Sequence, residues 1–404
     1  MRILKLVLFV SLALYVLAFG ARVWARKFYI WLPGYVTWSI RDERASRGPV
    51  HVFFFYTDHF EPAAHSGRVQ RWVEEYPKLA DRHRDSRGRP LQHTWFYPGE
   101  QPLEPNMLAL QKLVAAGYGE VELHLHHGND TLDSARSRYQ AAISFFQKFG
   151  FLKTVDGETR FGFIHGNNGL DNSMGARVCG VNRELQLLRE MGCYADFTFV
   201  SLWRDAQPPY VNRIFEVVDD DRPKSYAQGV PLQAGRAVGG DLVIFQGPLV
   251  MAGTLDPRKL FVQVEDGDIH PGVPVTARRV DSWIRANIHV EGRPEWIFVK
   301  VHGHAASSEA DLEETLGQNL DRALRYLEDR YNDGTRYVLH YVTAREAYNV
   351  ARAAATNLQG DPRQYLDWMI KPYLAGAAAR RAAAASSTVF PQGAGREGKP
   401  WSTR

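Results

Sequence analysis

The sequence predicts an α/β fold built on a parallel sheet, and three observations lead there. Strand-like and helix-like runs alternate about seven times between residues 49 and 355. The strand-like runs are short and apolar, with Gly, Pro or polar breaks at their ends. Polar clusters follow several of these runs directly, at the strand ends where a parallel α/β fold gathers its chemistry. An open doubly wound sheet and a closed barrel satisfy this order equally.

Taken in order, 49–57 (PVHVFFFYT) reads as a strand and 68–84 as a helix that Pro77 is expected to kink. Residues 91–97 read as a strand, 105–116 as a helix stopped by Gly117, and 120–125 as a strand. A helix over 132–149 closes at Gly150, and 160–165 is the next strand. A helix over 181–192 leads to strands at 195–201 and 242–247, with a Pro-, Asp- and Gly-rich irregular stretch between them. Segment 205–275 reads as an insertion. A helix at 276–289, a strand at 296–301, one long helix at 309–331, a strand at 337–342 and a helix at 343–355 complete the body.

Composition narrows the function. The chain has 404 residues, 45% hydrophobic and 23% charged, which excludes a disordered or disulfide-stapled chain. Its net charge of +4 is unevenly placed. Residues 1–48 carry eight basic and two acidic residues, 372–404 carry five and one, and the middle is net acidic. A mildly acidic body argues against nucleic-acid binding. No GxGxxG or GxxxxGK[ST] follows a strand, so no nucleotide cofactor is expected, and no GxSxG nucleophile elbow is present.

The ends differ from the body. Leu6 to Ala21 is an uncharged apolar run flanked by Arg2, Lys5, Arg22, Arg26 and Lys27. As a helix it spans about 24 Å, slightly under the ~30 Å hydrocarbon core of a bilayer. An uncleaved membrane anchor is the favoured reading; a signal peptide ending near Ala18-Phe19-Gly20 is the rival. Basic residues on both sides set no orientation. Trp24, Tyr29, Trp31, Tyr35 and Trp38 form either an interfacial collar or packing against the body. The Ala-, Gly- and Arg-rich C-terminal end offers little to bury. Cys179 and Cys193 read either as a pair or as two buried thiols.

The candidate chemistry lies at four strand ends: Asp58-His59-Phe60-Glu61, His124-Leu125-His126-His127, His165-Gly166-Asn167 with Asp171, and His302-Gly303-His304. Seven of the fourteen histidines fall there. Convergent histidines and carboxylates suit a divalent cation, Zn2+ best among N/O-ligated ions. Alternation puts His124 and His126 on one face of their strand and makes them the better ligand pair.

At these residues the chain resembles the polysaccharide deacetylases, the NodB-homology group of the glycoside hydrolase/deacetylase superfamily. FFFYTDHFEP looks like the first motif, ELHLHHGND like the histidine motif, RFGFIHGNNGLDNS stands at the third, and VKVHGHA looks like the late motif. The resemblance covers about residues 49–350. It implies a distorted (β/α)7 barrel and metal-dependent removal of acetyl groups from an envelope or secreted polysaccharide. It makes Asp58 the base with His59 a metal ligand, or else Asp58 a ligand with another group as base; it makes His302 or His304 the acid and sets His127, His165, Asn167 and Asp171 toward the substrate. The family's two histidine ligands are four residues apart, but His124 plus four is Gly128 here, so His124 and His126 are taken as the ligands by alternation. Where the family has a second Asp this chain has His59, and its third motif lacks the usual Arg and Tyr.

The expected organisation is an anchor or signal segment at 1–30, a juxtamembrane linker at 31–48, the barrel at 49–355, and a largely disordered extension at 356–404. The body is expected outside the cytoplasm, for example in a periplasm. Trp95, Tyr97, Trp203 and Tyr210 are candidates for a sugar-stacking groove. A second reading keeps the barrel without catalysis, as a polysaccharide-binding part of an assembly or export machine. A third keeps the metal and cleaves a different bond.

Overall fold

The structure is a computed structural model that describes residues 2–41, 43–44, 48–63, 66–256, 259 and 262–374. Helix α1 (Arg2–Ala25) projects with none of its residues buried. It is long and apolar enough to cross a membrane. Helix α2 (Phe28–Ile40) then lies on the body, so the expected linker is helical over most of its length. Phe28 and Trp31 are buried there against Val200, Val211 and Leu249. The aromatic series therefore divides: Trp31 packs inward, while Trp24 is 74% exposed.

The body follows the expected alternation through β1 (Val50–His59), α3 (Ser66–Arg82), β2 (His93–Pro98), α4 (Glu104–Ala115), β3 (Gly119–Leu125), α5 (Leu132–Gln147) and β4 (Phe161–His165). Pro77 lies inside α3 without ending it. After β4 the chain runs through a short α6 (Ala176–Cys179) to α7 (Glu184–Glu190) and β5 (Cys193–Asp196). The irregular stretch contains two strands the sequence does not announce, β6 (Ile214–Val217) and β7 (Val230–Pro231), before β8 (Leu242–Phe245). A hairpin of β9 (Val250–Gly253) and β10 (Val262–Glu265) and a short β11 (Asp268–Ile269) follow. Next come α8 (Ala277–Arg285), β12 (Trp296–Gly303), α9 (Glu309–Leu316), α10 (Gln318–Tyr331), β13 (Tyr337–Tyr341) and α11 (Ala344–Ala355). The single long helix expected at 309–331 is thus two, because Gly317 has an extended ψ of −157° and caps one while starting the other.

The main sheet has the order β11-β12-β1-β2-β3-β4-β5-β8-β6-β7, with β13 also paired to β1. From β11 to β8 every pairing is parallel; β6 and β7 run antiparallel, so the sheet is mixed. Among the described residues the ladder does not close on itself. Its two ends nevertheless curl toward each other: Phe245 of β8 lies 6.1 Å from Phe298 of β12 and 6.3 Å from Phe55 of β1, ring centre to ring centre.

Strand β1 shows why the apolar run is continuous. Phe53 and Phe55 join the aromatic cluster on one face, while Val52, Phe54 and Tyr56 pack among the helices on the other. A strand covered on both faces has no polar side to present. Helix α11 has eleven of twelve residues buried and fills the first of these clusters with alanines. The buried Arg345 guanidinium on α11 bonds Glu120 at 2.8 Å and the Ile370 carbonyl at 2.7 Å. The C-terminal extension is therefore folded as far as Leu374, with Tyr373 buried and its hydroxyl 2.8 Å from Glu122. The rest of the expected disordered tail, 375–404, lies outside the described residues.

Candidate metal centre at the strand ends

Parallel register brings the candidate residues to one end of the sheet. Asp58 on β1 pairs with Gly303 on β12, Pro98 on β2 with His124 on β3, and Leu125 with His165 on β4. Alternation along β1 then separates two neighbours that the sequence placed together.

His59 turns into the mouth of the sheet. Its ring centre is 5.1 Å from that of His124 and 4.6 Å from that of His304. It is 3% exposed. Burial, and then the neighbouring His304 and His124, hold it well below the ordinary histidine value, so the ring is neutral with a free lone pair.

Asp58 faces the other way and does not reach this group. Its Oδ2 lies 3.1 Å from His93 Nε2, and its Oδ1 accepts the Ala305 N–H at 2.9 Å. His93 is itself enclosed by Tyr56, Trp72, Tyr76 and Trp95. The expectation of Asp58 as a water-contacting base is corrected by this geometry. Asp58 ties the segment after β12 to β1 and so fixes where His304 stands.

Glu61, two residues beyond His59, occupies the centre. His124 Nε2 is 2.7 Å from its Oε1, and His126 Nε2 is 3.5 Å from the same atom. The ligand atoms of Glu61, His124 and His126 all lie within 4.8 Å of one another, as do those of His59, Glu61 and His304. Each strand-three imidazole has its other nitrogen engaged. His124 Nδ1 is 2.9 Å from the Ile164 carbonyl, and His126 Nδ1 is 2.6 Å from Glu100 Oε1. Those partners engage the Nδ1 atoms and turn both Nε2 atoms to Glu61, the arrangement that orients metal-binding histidines. Burial raises the Glu61 carboxyl, but the His124 hydrogen bond overrides it and leaves the group below its usual value. The donor set thus fits a divalent cation: two oriented imidazoles and a carboxylate, with His59 and His304 opposite.

His302 stands apart, its ring 6.4 Å from that of His59 and its Nε2 4.0 Å from Asp268. Burial lowers it to about 4, so it carries no proton to give near neutrality.

Three of the four expected substrate contacts are sealed from solvent. His127 and His165 form a second group with Glu184, every side chain 0% exposed. Asp171 is buried against the Ser225 N–H at 2.7 Å, and burial with the nearby Asp219 charge raises it to about 7. Asn167 is exposed, with its amide donating to the Val178 carbonyl at 3.2 Å. The stacking groove is not formed either: Trp95 and Tyr97 are fully buried. Trp203 packs on Phe28, and the Tyr210 hydroxyl bonds the Tyr226 carbonyl. Both cysteines are buried and free.

Glu61 stands in the first strand-end cluster but was given no role there, and a tight turn, with the Glu61 N–H donating to the His59 carbonyl at 3.0 Å, puts it beyond strand alternation. Glu100 and Glu184 were not legible. One follows a strand by two residues in a turn and the other starts a helix, and neither carries a local signal.

No family model and no curated protein matches this chain. A solved structure described as a "putative glycoside hydrolase/deacetylase" from Parabacteroides distasonis shares 11% identity with it, over 77% of this chain and 72% of that one, at a TM-score of 0.41.

Proposed function

We propose that this protein is a membrane-anchored, metal-dependent hydrolase that removes acetyl groups from an envelope or secreted polysaccharide, with its α/β body outside the cytoplasm. The observation that carries the hydrolase is the Glu61–His124–His126 group with both imidazoles oriented from behind by Ile164 and Glu100. The acetylated sugar rests on the motif resemblance, and the anchor on the apolar α1.

Glu61, His124 and His126 would hold the cation, Zn2+ by preference for a His2Glu set. Bound there, it supplies Lewis acidity toward a carbonyl oxygen and toward water.

The chain's own groups then divide the proton work. Water's oxygen adds to the acyl carbon as its proton passes to the neutral His59. The C–N or C–O bond breaks as His304 gives a proton to the departing amine or hydroxyl. Acetate and the free sugar group leave, and the proton on His59 returns to His304, whose ring lies 4.6 Å away. Asp58 acts through the backbone at Ala305 by positioning His304.

The test uses the purified full-length protein with N- and O-acetylated glycans. Acetate release that stops on chelation and returns with Zn2+ supports the hydrolase. A protein that stays metal-free on dialysis against Zn2+, releases no acetate and still binds glycan would establish the non-catalytic reading instead.

A further inference from the structure

We infer that His127, His165 and Glu184 form a second divalent-cation site, closed to solvent, that fastens the loop between β4 and α7 to the end of β3. The three side chains come from three separate elements and are 0% exposed. His127 Nε2 is 2.5 Å from Glu184 Oε1. His165 Nε2 is 3.1 Å from His127 Nε2 and 3.5 Å from the same carboxylate oxygen. Three ligand atoms thus meet at one point in the interior.

The far side of each ring is engaged. His165 Nδ1 is 2.5 Å from the Gly166 carbonyl, and His127 Nδ1 is 3.2 Å from Asp130 Oδ2. With the Nδ1 atoms engaged there, both Nε2 atoms turn to the Glu184 carboxylate. The outer partners are those that orient metal-binding imidazoles. Donors about 2.1 Å from a tetrahedral ion are about 3.4 Å apart. The 3.1 and 3.5 Å separations match that spacing, and the His127–Glu184 pair at 2.5 Å opens on filling. The Tyr139 hydroxyl, 2.8 Å from Glu184 Oε1 and 3.3 Å from His127 Nε2, is the fourth donor. The ion is of the borderline class that takes nitrogen and oxygen together, as Zn2+ does.

The site has something to hold. Asn167, Asn168, Asp171 and Asn172 all have φ between 51° and 58°, unusual for residues with side chains. Glu184 Oε2 accepts the Asp171 N–H at 2.6 Å. Gly180 lies so close to the His127 ring that an added Cβ would stand 2.2 Å from Cε1. The cluster therefore organises this loop from within, and it shares no donor with the Glu61 group.

The competing arrangement is an ion pair, with His127 doubly protonated between Asp130 and Glu184. Full-length protein stripped with a chelator and dialysed against Zn2+ separates the two by elemental analysis. The inference expects two ions per chain. It expects one in His165→Gln, one in Glu184→Gln, one in His124→Ala and none in the His124→Ala/His165→Gln double variant. Should the variants misfold, Co2+ substituted into the wild-type protein reports the same count and should show absorption from two distinct sites. A single ion lost in His124→Ala and kept in His165→Gln overturns the second site and leaves the proposed hydrolase standing. A single ion lost in His165→Gln and kept in His124→Ala supports the second site and removes the first.

Discussion

Neighbouring residues at the end of β1 have opposite jobs because a strand alternates its side chains. His59 enters the cluster and Asp58 leaves it, so substitutions at the two positions should separate. His59→Gln is expected to keep its metal and lose about 10²–10⁴ in kcat, the usual worth of a positioned proton-transfer group; turnover assays with elemental analysis check this. Asp58→Asn keeps the ion as well, but puts an amide where Ala305 and His93 need an acceptor. It should cost about 1–3 kcal/mol of stability, as for a buried polar group left unmatched, measurable by denaturant unfolding. A stability equal to that of the wild type would remove Asp58 from its positioning role. The histidine clusters were legible as a set from their places after strands. Which residue of each set points inward was legible only where alternation applied, as at His124 and His126. His127 lies past the end of β3 and His165 is the last residue of β4 beside it; both were read toward substrate when they are closed inside.

At the scale of elements, periodicity located the regular helices and central strands well. It failed where a break is made by backbone rather than composition. Gly317 divides α9 from α10 inside an unbroken helical pattern. The short β6 and β7 lie among Pro, Asp and Gly residues and are held by antiparallel pairing with distant partners. The turn joining β10 to β11 carries a pH signature. Burial, then the charges of Asp268 and Glu265, raise the Asp266 carboxyl to about 7. A carboxyl raised on folding holds a proton that the unfolded chain releases. Its contribution is thus present below the unfolded value of about 3.9 and is lost as pH rises toward 7. Asp266→Asn should therefore flatten the fall in stability across that window, as followed by thermal melts from pH 4 to pH 8. Parallel melting curves for the two proteins would contradict it.

For the whole molecule, α1 and the body are joined through α2, which is docked by Phe28 and Trp31. Deleting residues 1–25 should release the protein from membranes while leaving α2 and the cluster in place, as read by membrane fractionation alongside metal content. A truncated protein that still sediments with membranes would assign the attachment to another surface. The apolar run was plain in the sequence. The docking of α2 was not, since the same aromatics suit a membrane interface and a protein core. The curl of the sheet brings His59, Glu61, His124, His126 and His304 together from three strand ends, and every functional statement above depends on a cation among them. Crystals of the Zn2+-loaded full-length protein, measured on both sides of the zinc absorption edge, test this most directly. The expected result is an anomalous peak about 2.0–2.2 Å from Glu61 and the Nε2 atoms of His124 and His126. Zinc-loaded crystals with no anomalous density among these three side chains would contradict it.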